Sequence, residues 1–155
     1  MKHEIPDVQY KSLKVTSTAF RHNELIPSLY TCDGQNLNPP LTIAHIPPEA
    51  KTLALIIDDP DAGGGMFVHW VVWNIPISHH ISENKIPGME GLNDYRRQHY
   101  GPPCPPSGTH RYFFKIYALD SVLDLPLSTT KPLLEKAMQP HILAFGELIG
   151  LYKRK

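Results

Sequence analysis

The stretch ALIIDDPDAGGGMFVHW, residues 54–70, runs from an apolar segment through paired acids and three glycines to a histidine among bulky apolar residues. Residues 51–58 are rich in leucine and β-branched side chains, and residues 67–74 hold both tryptophans. Each run is short enough to favour a strand over a helix. The stretch therefore predicts two buried strands joined by a loop. Its polar groups either form a site or have only a structural role in an apolar core.

The chain as a whole also favours strands, since its sixteen prolines are spaced too closely for long helices. Further strands are predicted at residues 16–20, 41–43, 112–119 and 147–153. Ser128, Thr129 or Thr130 is expected to cap a helix with Pro132 in its first turn, and Pro140 either kinks this helix or begins another. This order predicts a mainly antiparallel β-sandwich with a helical segment near the C-terminus.

The segment 76–108 consists mostly of Pro, Gly, Asn, Ser and charged residues. Compact domains seldom carry so long a connection unless it serves a function or folds on itself. We therefore predict that it forms one wall of a site.

Length and composition indicate one domain spanning residues 1–155, because 155 residues of which 41% are hydrophobic suffice for one core. Fifteen basic residues balance fifteen acidic ones, which argues against nucleic acid or an anionic membrane as a partner.

The sequence shows neither a signal-peptide pattern nor an apolar run of about 18 residues, so we expect a soluble, cytoplasmic protein without a membrane span. Cys32 and Cys104 are expected to be reduced thiols.

Strand alternation places several polar side chains on apolar faces, because residues two apart share a face. In three strands the shared faces are predicted to hold Leu53, Leu55, Ile57 and Asp59; Phe67, His69, Val71 and Trp73; and His110, Tyr112, Phe114, Ile116 and Ala118. A single histidine on such a face is most often structural, but the arrangement occurs three times. We therefore expect Asp59, His69, His110 and Tyr112 to converge at one rim of the core.

This set of side chains suits a small oxyanion, because imidazolium and phenol groups donate hydrogen bonds to it. Asp59 would orient a histidine from behind, or donate a hydrogen bond once protonated, since a bare carboxylate repels phosphate. We expect binding to weaken as the pH rises through the histidine pKa. Asp61 is left open between the pocket and a turn, because Asp beside proline often forms turns.

Other chemistries have less support. The histidines at 69 and 110 lie on separate strands without a short ligand spacing, so we predict no metal and no cofactor. There is no G-x-S-x-G motif, and Cys104 matches no known thiol nucleophile motif. The glycines at 63–65 lack the lysine and helix of a phosphate-binding P-loop. No catalytic residue is therefore assigned.

The blocks DDPDAGGGMFVHWVVWNIP and YGPPCPPSGTHRYFFKIYALD, with NPPL near Asn38 and the closing HILAFGELIGLYKR, resemble the phosphatidylethanolamine-binding protein family. The resemblance is to its bacterial and archaeal branch and covers residues 16–152; the eukaryotic branch includes the Raf kinase inhibitor protein. It implies a sandwich of two antiparallel sheets with Greek-key connections and short helices. It also implies a small cavity for phosphate, acetate or a phosphorylated head group.

The resemblance also assigns residues by matching position. The implied ligand-binding residues are Asp59, Asp61, His69, Gly101, Pro102, His110 and Tyr112. Arg111, on the opposite face of its strand, would be a structural ion-pair partner. The family commonly has proline where this chain has Gly63, so we expect a more mobile rim. The family's cis peptide near the cavity would fall at one of Pro39, Pro40, Pro102 and Pro103.

We therefore expect a non-enzymatic protein that binds phosphate or a phospholipid head group, with a regulatory role like that of a kinase inhibitor. Its partners would be a small phosphorylated ligand and a kinase or phosphoprotein. The alternative is a hydrolase that uses Asp59 and His110 as acid and base on a small phosphorylated or ester substrate. A pure interaction protein is a third class. The apolar stretch around Phe145 hints at a homodimer.

Overall fold

The computed structural model describes residues 10–155, which form ten strands and one α-helix. The strands are β1 (Lys11–Ser12), β2 (Lys14–Thr16), β3 (Glu24–Leu25), β4 (Leu41–Ala44), β5 (Thr52–Ala62), β6 (Gly65–Pro76), β7 (His80–Ile81), β8 (Met89–Glu90), β9 (His110–Leu119) and β10 (Ile142–Tyr152). The helix α1 spans Lys131–Met138. Short 3-10 turns occupy Ser28–Tyr30 and Gln139–His141.

The strands form two sheets. The large sheet has the order β1-β10-β9-β5-β6-β8, with β3 also on β10, and the small sheet has the order β2-β4-β7. The predicted two-sheet, mainly antiparallel β-fold with a helix near the C-terminus is confirmed. Two short pairings differ from it, because β1 and β3 each run parallel to β10.

Two apolar clusters hold these layers together. The inter-sheet core lies between the sheets and contains Ile43 of β4, Leu55 of β5 and Phe114 of β9. The helix-side core lies on the other face of the large sheet, where Leu134 and Met138 of α1 pack on it. Because these two helical residues are four apart, they lie on one face of α1 and bury it.

Helix α1 begins close to where the sequence predicts it. Thr130 is the extended residue before the first turn and Pro132 lies in that turn, although the Thr130 side chain makes no capping hydrogen bond. The Gln139–His141 turn around Pro140 is the predicted second short helical segment. No helix in the described part of the chain combines the length and apolar character needed to cross a bilayer.

The predicted first strand, residues 16–20, is wrong. Its place is taken by β2, which ends at Thr16, and the chain then turns. The Ser17 hydroxyl accepts a hydrogen bond from the Ala19 N–H and donates one to the Pro40 carbonyl. A serine that bonds backbone two residues ahead stabilises a turn instead of a strand.

The two cysteines form a disulfide, so the expectation of reduced thiols is wrong. Cys32 and Cys104 are 72 residues apart in sequence, but their Cα atoms lie 5.4 Å apart. The turn after Tyr30 and the proline-rich segment before β9 come together, and the Cys32 N–H donates to the Pro103 carbonyl. Sequence distance is no obstacle to a disulfide once the fold supplies this proximity.

The expected cis peptide is also absent, since every peptide bond between the described residues is trans, including those before Pro39, Pro40, Pro102 and Pro103. The long connection between β6 and β9 folds on itself, as one of the two predicted alternatives required. Its strand β7 joins the small sheet, and its strand β8 extends the large one.

Candidate functional site

The end of β5 sends neighbouring acids to opposite faces of the large sheet. Asp59 continues the row of Leu53, Leu55 and Ile57, which all lie in the inter-sheet core. Asp58 points to the helix side, where it accepts hydrogen bonds from two lysines. The predicted alternation therefore holds along β5, and it brings Asp59 alone of this pair to the rim of the inter-sheet core.

Asp59 is bound on several sides. Its Oδ2 atom lies 2.7 Å from Nδ1 of His110, the first residue of β9, and its Oδ1 atom accepts the backbone N–H of Asp61 at 2.7 Å. Both Asp59 and His110 are buried, at 3% and 8% exposure. Burial, followed by the charge of Asp59 and a hydrogen bond to it, raises the pKa of Tyr112, which therefore stays a phenol. These contacts fix the carboxylate in one orientation.

His69 reaches the same rim through a β-bulge. The register of β6 on β5 passes from Ile57–Trp70 to Asp58–Val68, so His69 is the extra residue. The His69 ring lies 5.2 Å from the Tyr112 ring, between centroids, in an edge-to-face contact. The bulge resets the alternation that the sequence predicted for β6.

The predicted shared face of β6 is therefore wrong beyond His69. Trp70 packs in the inter-sheet core, whereas Val71 and Trp73 pack in the helix-side core. Strict alternation would have placed Val71 and Trp73 on the side of His69. On β9, by contrast, Tyr112 and the predicted apolar residues that follow it at every second position do share the inter-sheet core.

The tautomer of His69 follows from its partner. His69 Nδ1 lies 2.9 Å from the Gly101 carbonyl oxygen, which can only accept, so Nδ1 carries the hydrogen. Burial lowers the pKa of His69 and outweighs the opposing effects of this hydrogen bond and of the Asp59 charge. His69 is therefore a neutral ring whose Nε2 lone pair has no partner among the described residues.

The long connection supplies the opposite wall, as predicted. Tyr95 packs edge-on against Phe67 and His69, with ring centroids 4.9 and 5.7 Å apart. Asn93 holds the Tyr95 turn, because its side-chain amide donates to the His69 and His99 carbonyls and its Oδ1 accepts the Tyr95 N–H. Tyr95 could not be singled out from the sequence, apart from its place in this segment.

These side chains surround a hollow of about 300 Å³ that opens to solvent. We call it the rim hollow. It is lined by Asp59, Ala62, Gly63, Gly64, Phe67, His69, Tyr95, Cys104, Pro105, Pro106, His110 and Tyr112. The sequence-predicted residues at 59, 69, 110 and 112 therefore meet at one accessible place.

The other three predicted residues lie outside this lining. Asp61 turns to the surface, where both of its oxygens bind the Arg111 guanidinium, which holds the pKa of Asp61 down at about 2. Arg111 is thus the ion-pair partner that the resemblance implied. Gly101 supports His69 from behind, and the Pro102 carbonyl accepts the Tyr95 hydroxyl. Gly101 and Pro102 therefore hold two lining side chains in place through their carbonyl groups, whereas the Asp61 side chain does not face the hollow.

A larger cleft of about 440 Å³ lies on the helix side of the sheet, over Asp58. There Asp58 Oδ2 lies 2.9 Å from Lys115 Nζ and 2.6 Å from Lys131 Nζ. Since the Asp58 side chain is fully buried, the three charges form an internal cluster. The sequence analysis missed this cluster, because nothing local marks Lys131 as a partner of a strand 73 residues away. In the described part of the chain, no three His, Cys, Asp or Glu residues are grouped to hold a metal ion.

Comparisons with known proteins agree with this fold. The sequence pattern of the family described as phosphatidylethanolamine-binding protein matches residues 16–153. A UPF0098 protein of Pyrococcus horikoshii is 46% identical over 155 residues, which cover 93% of this chain and 78% of that protein.

Two solved structures are similar along nearly the whole chain. A phosphatidylethanolamine-binding protein homologue from Chlamydia trachomatis superposes with a TM-score of 0.90 at 39% identity, over 94% of this chain and 99% of that one. Escherichia coli YbcL, described as a member of the mammalian family, superposes with a TM-score of 0.85 at 28% identity, over 93% and 99% of the two chains. The chain therefore belongs to the phosphatidylethanolamine-binding protein family.

Proposed function

We propose that the rim hollow binds a small phosphorylated ligand, either free or as a phospholipid head group, and does not convert it. The observation that carries the proposal is the buried Asp59–His110 hydrogen bond of 2.7 Å, both of whose residues line an accessible hollow. His69 and Tyr112 stand beside it. An apolar pocket with a few oriented polar groups is the usual form of a small-molecule site.

Charge supports a non-covalent role. When His110 is protonated, the Asp59–His110 pair is neutral overall, and the imidazolium donates through Nε2 to an oxyanion. The lining contains no serine, and its one cysteine, Cys104, is held in the disulfide. The lining therefore offers neither a serine nor a free thiol as a nucleophile.

The experiment is a titration of the purified protein with phosphoethanolamine and phosphotyrosine, with phosphate release assayed in the same samples. We expect saturable binding without release. His110→Ala should abolish binding, because it removes the donor and leaves Asp59 unpaired. His141→Ala is the matched control, since His141 bonds to Asp120 at the surface at 2.8 Å. Absence of binding in the unmodified protein, or equal binding by both variants, would overturn the proposal.

The second candidate function is a hydrolase, favoured by the same hydrogen-bonded pair. A carboxylate behind an imidazole is the arrangement of a general base, and Asp59 and His110 have it. Release of phosphate that is lost in Asp59→Asn would establish this function in place of simple binding.

Regulatory partners and location are further parts of the proposal. We propose that the protein also docks a kinase or phosphoprotein, and that two copies associate through the face around Phe145. Pull-down with a phosphorylated and an unphosphorylated peptide, and sedimentation of the protein, test these two points. Cytoplasmic location stays a prediction, and the disulfide weighs against it because disulfides are rare in the reducing cytosol.

A further inference from the structure

The cleft over Asp58, of about 440 Å³, lies on the face of the large sheet opposite the rim hollow, and we call it the helix-side cleft. Its floor includes the residues at every second position of β9, which are Arg111, Phe113, Lys115 and Tyr117. Ligand sites commonly have volumes of about 300–1,000 Å³, so a small molecule fits here. The proposed function makes no use of this cleft.

The bottom of the cleft carries more positive than negative charge. The Nζ atoms of Lys115 and Lys131 lie 2.9 and 2.6 Å from the same Asp58 oxygen, Oδ2. Each ammonium group has three N–H donors, and the single carboxylate balances only one of the two charges. The Lys115 side chain is 18% exposed, so it is the lysine that a ligand in the cleft meets. The three groups together keep one positive charge and spare donors beside an open space.

Glu135 of α1 also lines the cleft, and it does not cancel this charge in mildly acidic solution. Burial raises the pKa of Glu135 to about 7 and outweighs the charges of the two lysines, which act in the opposite direction. At pH 6 Glu135 is therefore mostly a neutral acid. The guanidinium of Arg111 is bound by both Asp61 oxygens, and Glu147 is exposed, so that solvent screens its charge.

Apolar surface surrounds the charged groups. Met66 is 43% exposed, and Tyr10 and Phe113 are half-buried. The ammonium group of Lys115 lies 5.7 Å from the centre of the Phe113 ring, so the charge and the ring are neighbours. A ligand that satisfies both has one anionic head group next to an apolar body.

We propose that the helix-side cleft is a second binding site, for a small amphiphilic monocarboxylate. The carboxylate pairs with Lys115 above Asp58, and the apolar body lies on Phe113 and Met66. One excess positive charge matches a singly charged head group, whereas a dianionic phosphate would bring a second charge that the cluster does not balance. The site is separate from the rim hollow, and the inference does not rest on the proposed function.

The first test varies the head group on one apolar chain. The purified protein is titrated calorimetrically at pH 6 with octanoate, octanol and octylammonium, each below its micelle concentration. We expect octanoate to bind at one site, octanol at least about 10-fold more weakly because it lacks the charge, and octylammonium not at all. Octanol or octylammonium that binds as tightly as octanoate, or octanoate that does not bind, would overturn the inference.

A lysine substitution locates the site. Lys115→Met keeps a long apolar side chain and removes the ammonium group, so octanoate should bind at least about 10-fold more weakly. Lys51→Met is the matched control, because Lys51 is exposed at the other end of β5 from Asp58. Circular dichroism checks that each variant folds. Unchanged octanoate affinity in folded Lys115→Met would refute the role given to Lys115.

A competition experiment separates the cleft from the rim hollow. Saturating phosphoethanolamine should leave the affinity for octanoate unchanged, since the two sites lie on opposite faces of the large sheet. Displacement of octanoate would assign it to the rim hollow and contradict the inference, whereas phosphoethanolamine that does not bind would overturn the proposed function alone. The protein is kept at a concentration at which it sediments as a monomer, because Phe145 lines the cleft and also belongs to the face proposed for association of two copies.

The pH dependence of octanoate binding tests the charge balance. As the pH rises from 6 to 8, octanoate stays ionised and Glu135 loses its proton, so the affinity should fall by about 5-fold, the effect of one partly screened charge. Glu135→Gln stays neutral, so its affinity should remain nearly constant. The other titratable or charged groups of the lining are the same in both proteins, namely Tyr10, Asp58, Arg111, Lys115, Tyr117, Lys131 and Glu147. Parallel pH profiles of the two proteins would contradict the charge balance and with it the inference.

Discussion

Replacement of Asp58 by alanine should destabilise the protein far more than the same replacement of Asp61, three positions along β5. Asp58 is fully buried and holds two ammonium groups at 2.6 and 2.9 Å, whose side chains are 7% and 18% exposed. Removal of this carboxylate leaves two like charges close together without the buried carboxylate that pairs with both. Breaking a buried ion pair in this way costs about 3–5 kcal/mol.

Asp61 is the control because its ion pair lies at the surface. The Asp61 and Arg111 side chains are 29% and 51% exposed, so solvent screens their attraction and we expect a cost of about 1 kcal/mol or less. Asp58→Asn should fall between the two alanine variants, since it keeps the volume and loses the charge. For a chain of this size, the Asp58→Ala cost corresponds to a loss of roughly 10 °C in Tm.

The assay is urea unfolding of the disulfide-intact protein at neutral pH. Trp70 and Trp73 are 2% and 0% exposed, so tryptophan fluorescence reports loss of both cores without a label. If the free energies of unfolding of Asp58→Ala and Asp61→Ala differ by less than about 1 kcal/mol, this prediction is wrong, because the internal cluster would then contribute no more than an exposed pair.

Three further predictions concern stability. Reduction of Cys32–Cys104, or a Cys104→Ser variant, should lower the free energy of unfolding by about 2–4 kcal/mol, because the bridge closes a 72-residue separation; an unchanged urea midpoint would contradict this. Burial raises the pKa of Glu135 from 4.5 to about 7, so its contribution to stability should be lost as the pH rises from 4.5 through 7. Denaturation across this range should show a flatter profile in Glu135→Gln, and identical slopes would refute the effect. Gly146→Ala should lower Tm by several degrees, because a Cβ atom at this position would lie 2.4 Å from a backbone oxygen. Gly63→Ala is the control and should leave Tm unchanged, because a Cβ atom there meets nothing within 4 Å. Equal Tm values for the two variants would contradict the prediction.

The local pattern was enough to predict the part of the site that depends on alternation. Asp59 and Tyr112 stand where a period of two places them, because β5 and β9 pair without a register shift as far as Asp58 and Phe113, the residues next to them. His69 was predicted for a partly wrong reason. The bulge that turns it inward arises from the pairing of β6 with β5, and a single strand does not encode its partner's register.

Contacts between segments that are distant along the chain could not be predicted from the sequence. Asp58 and Asp59 are adjacent residues of the same type. Asp58 becomes part of an internal ion cluster only because α1 brings Lys131 next to it in the folded chain. The Cys32–Cys104 bridge likewise depends on a turn and a proline-rich segment that meet only in the folded chain. Tyr95 belongs to the same group, because Asn93 places it through contacts in the long connection.

The most direct test of the central claim is a crystal structure of the protein grown with inorganic phosphate. The account predicts tetrahedral density in the rim hollow, between His69 and His110, with one phosphate oxygen within hydrogen-bond distance of His69 Nε2 and another facing His110 Nε2. Phosphate bound elsewhere on the surface, with the hollow holding only water at a saturating phosphate concentration, would contradict it.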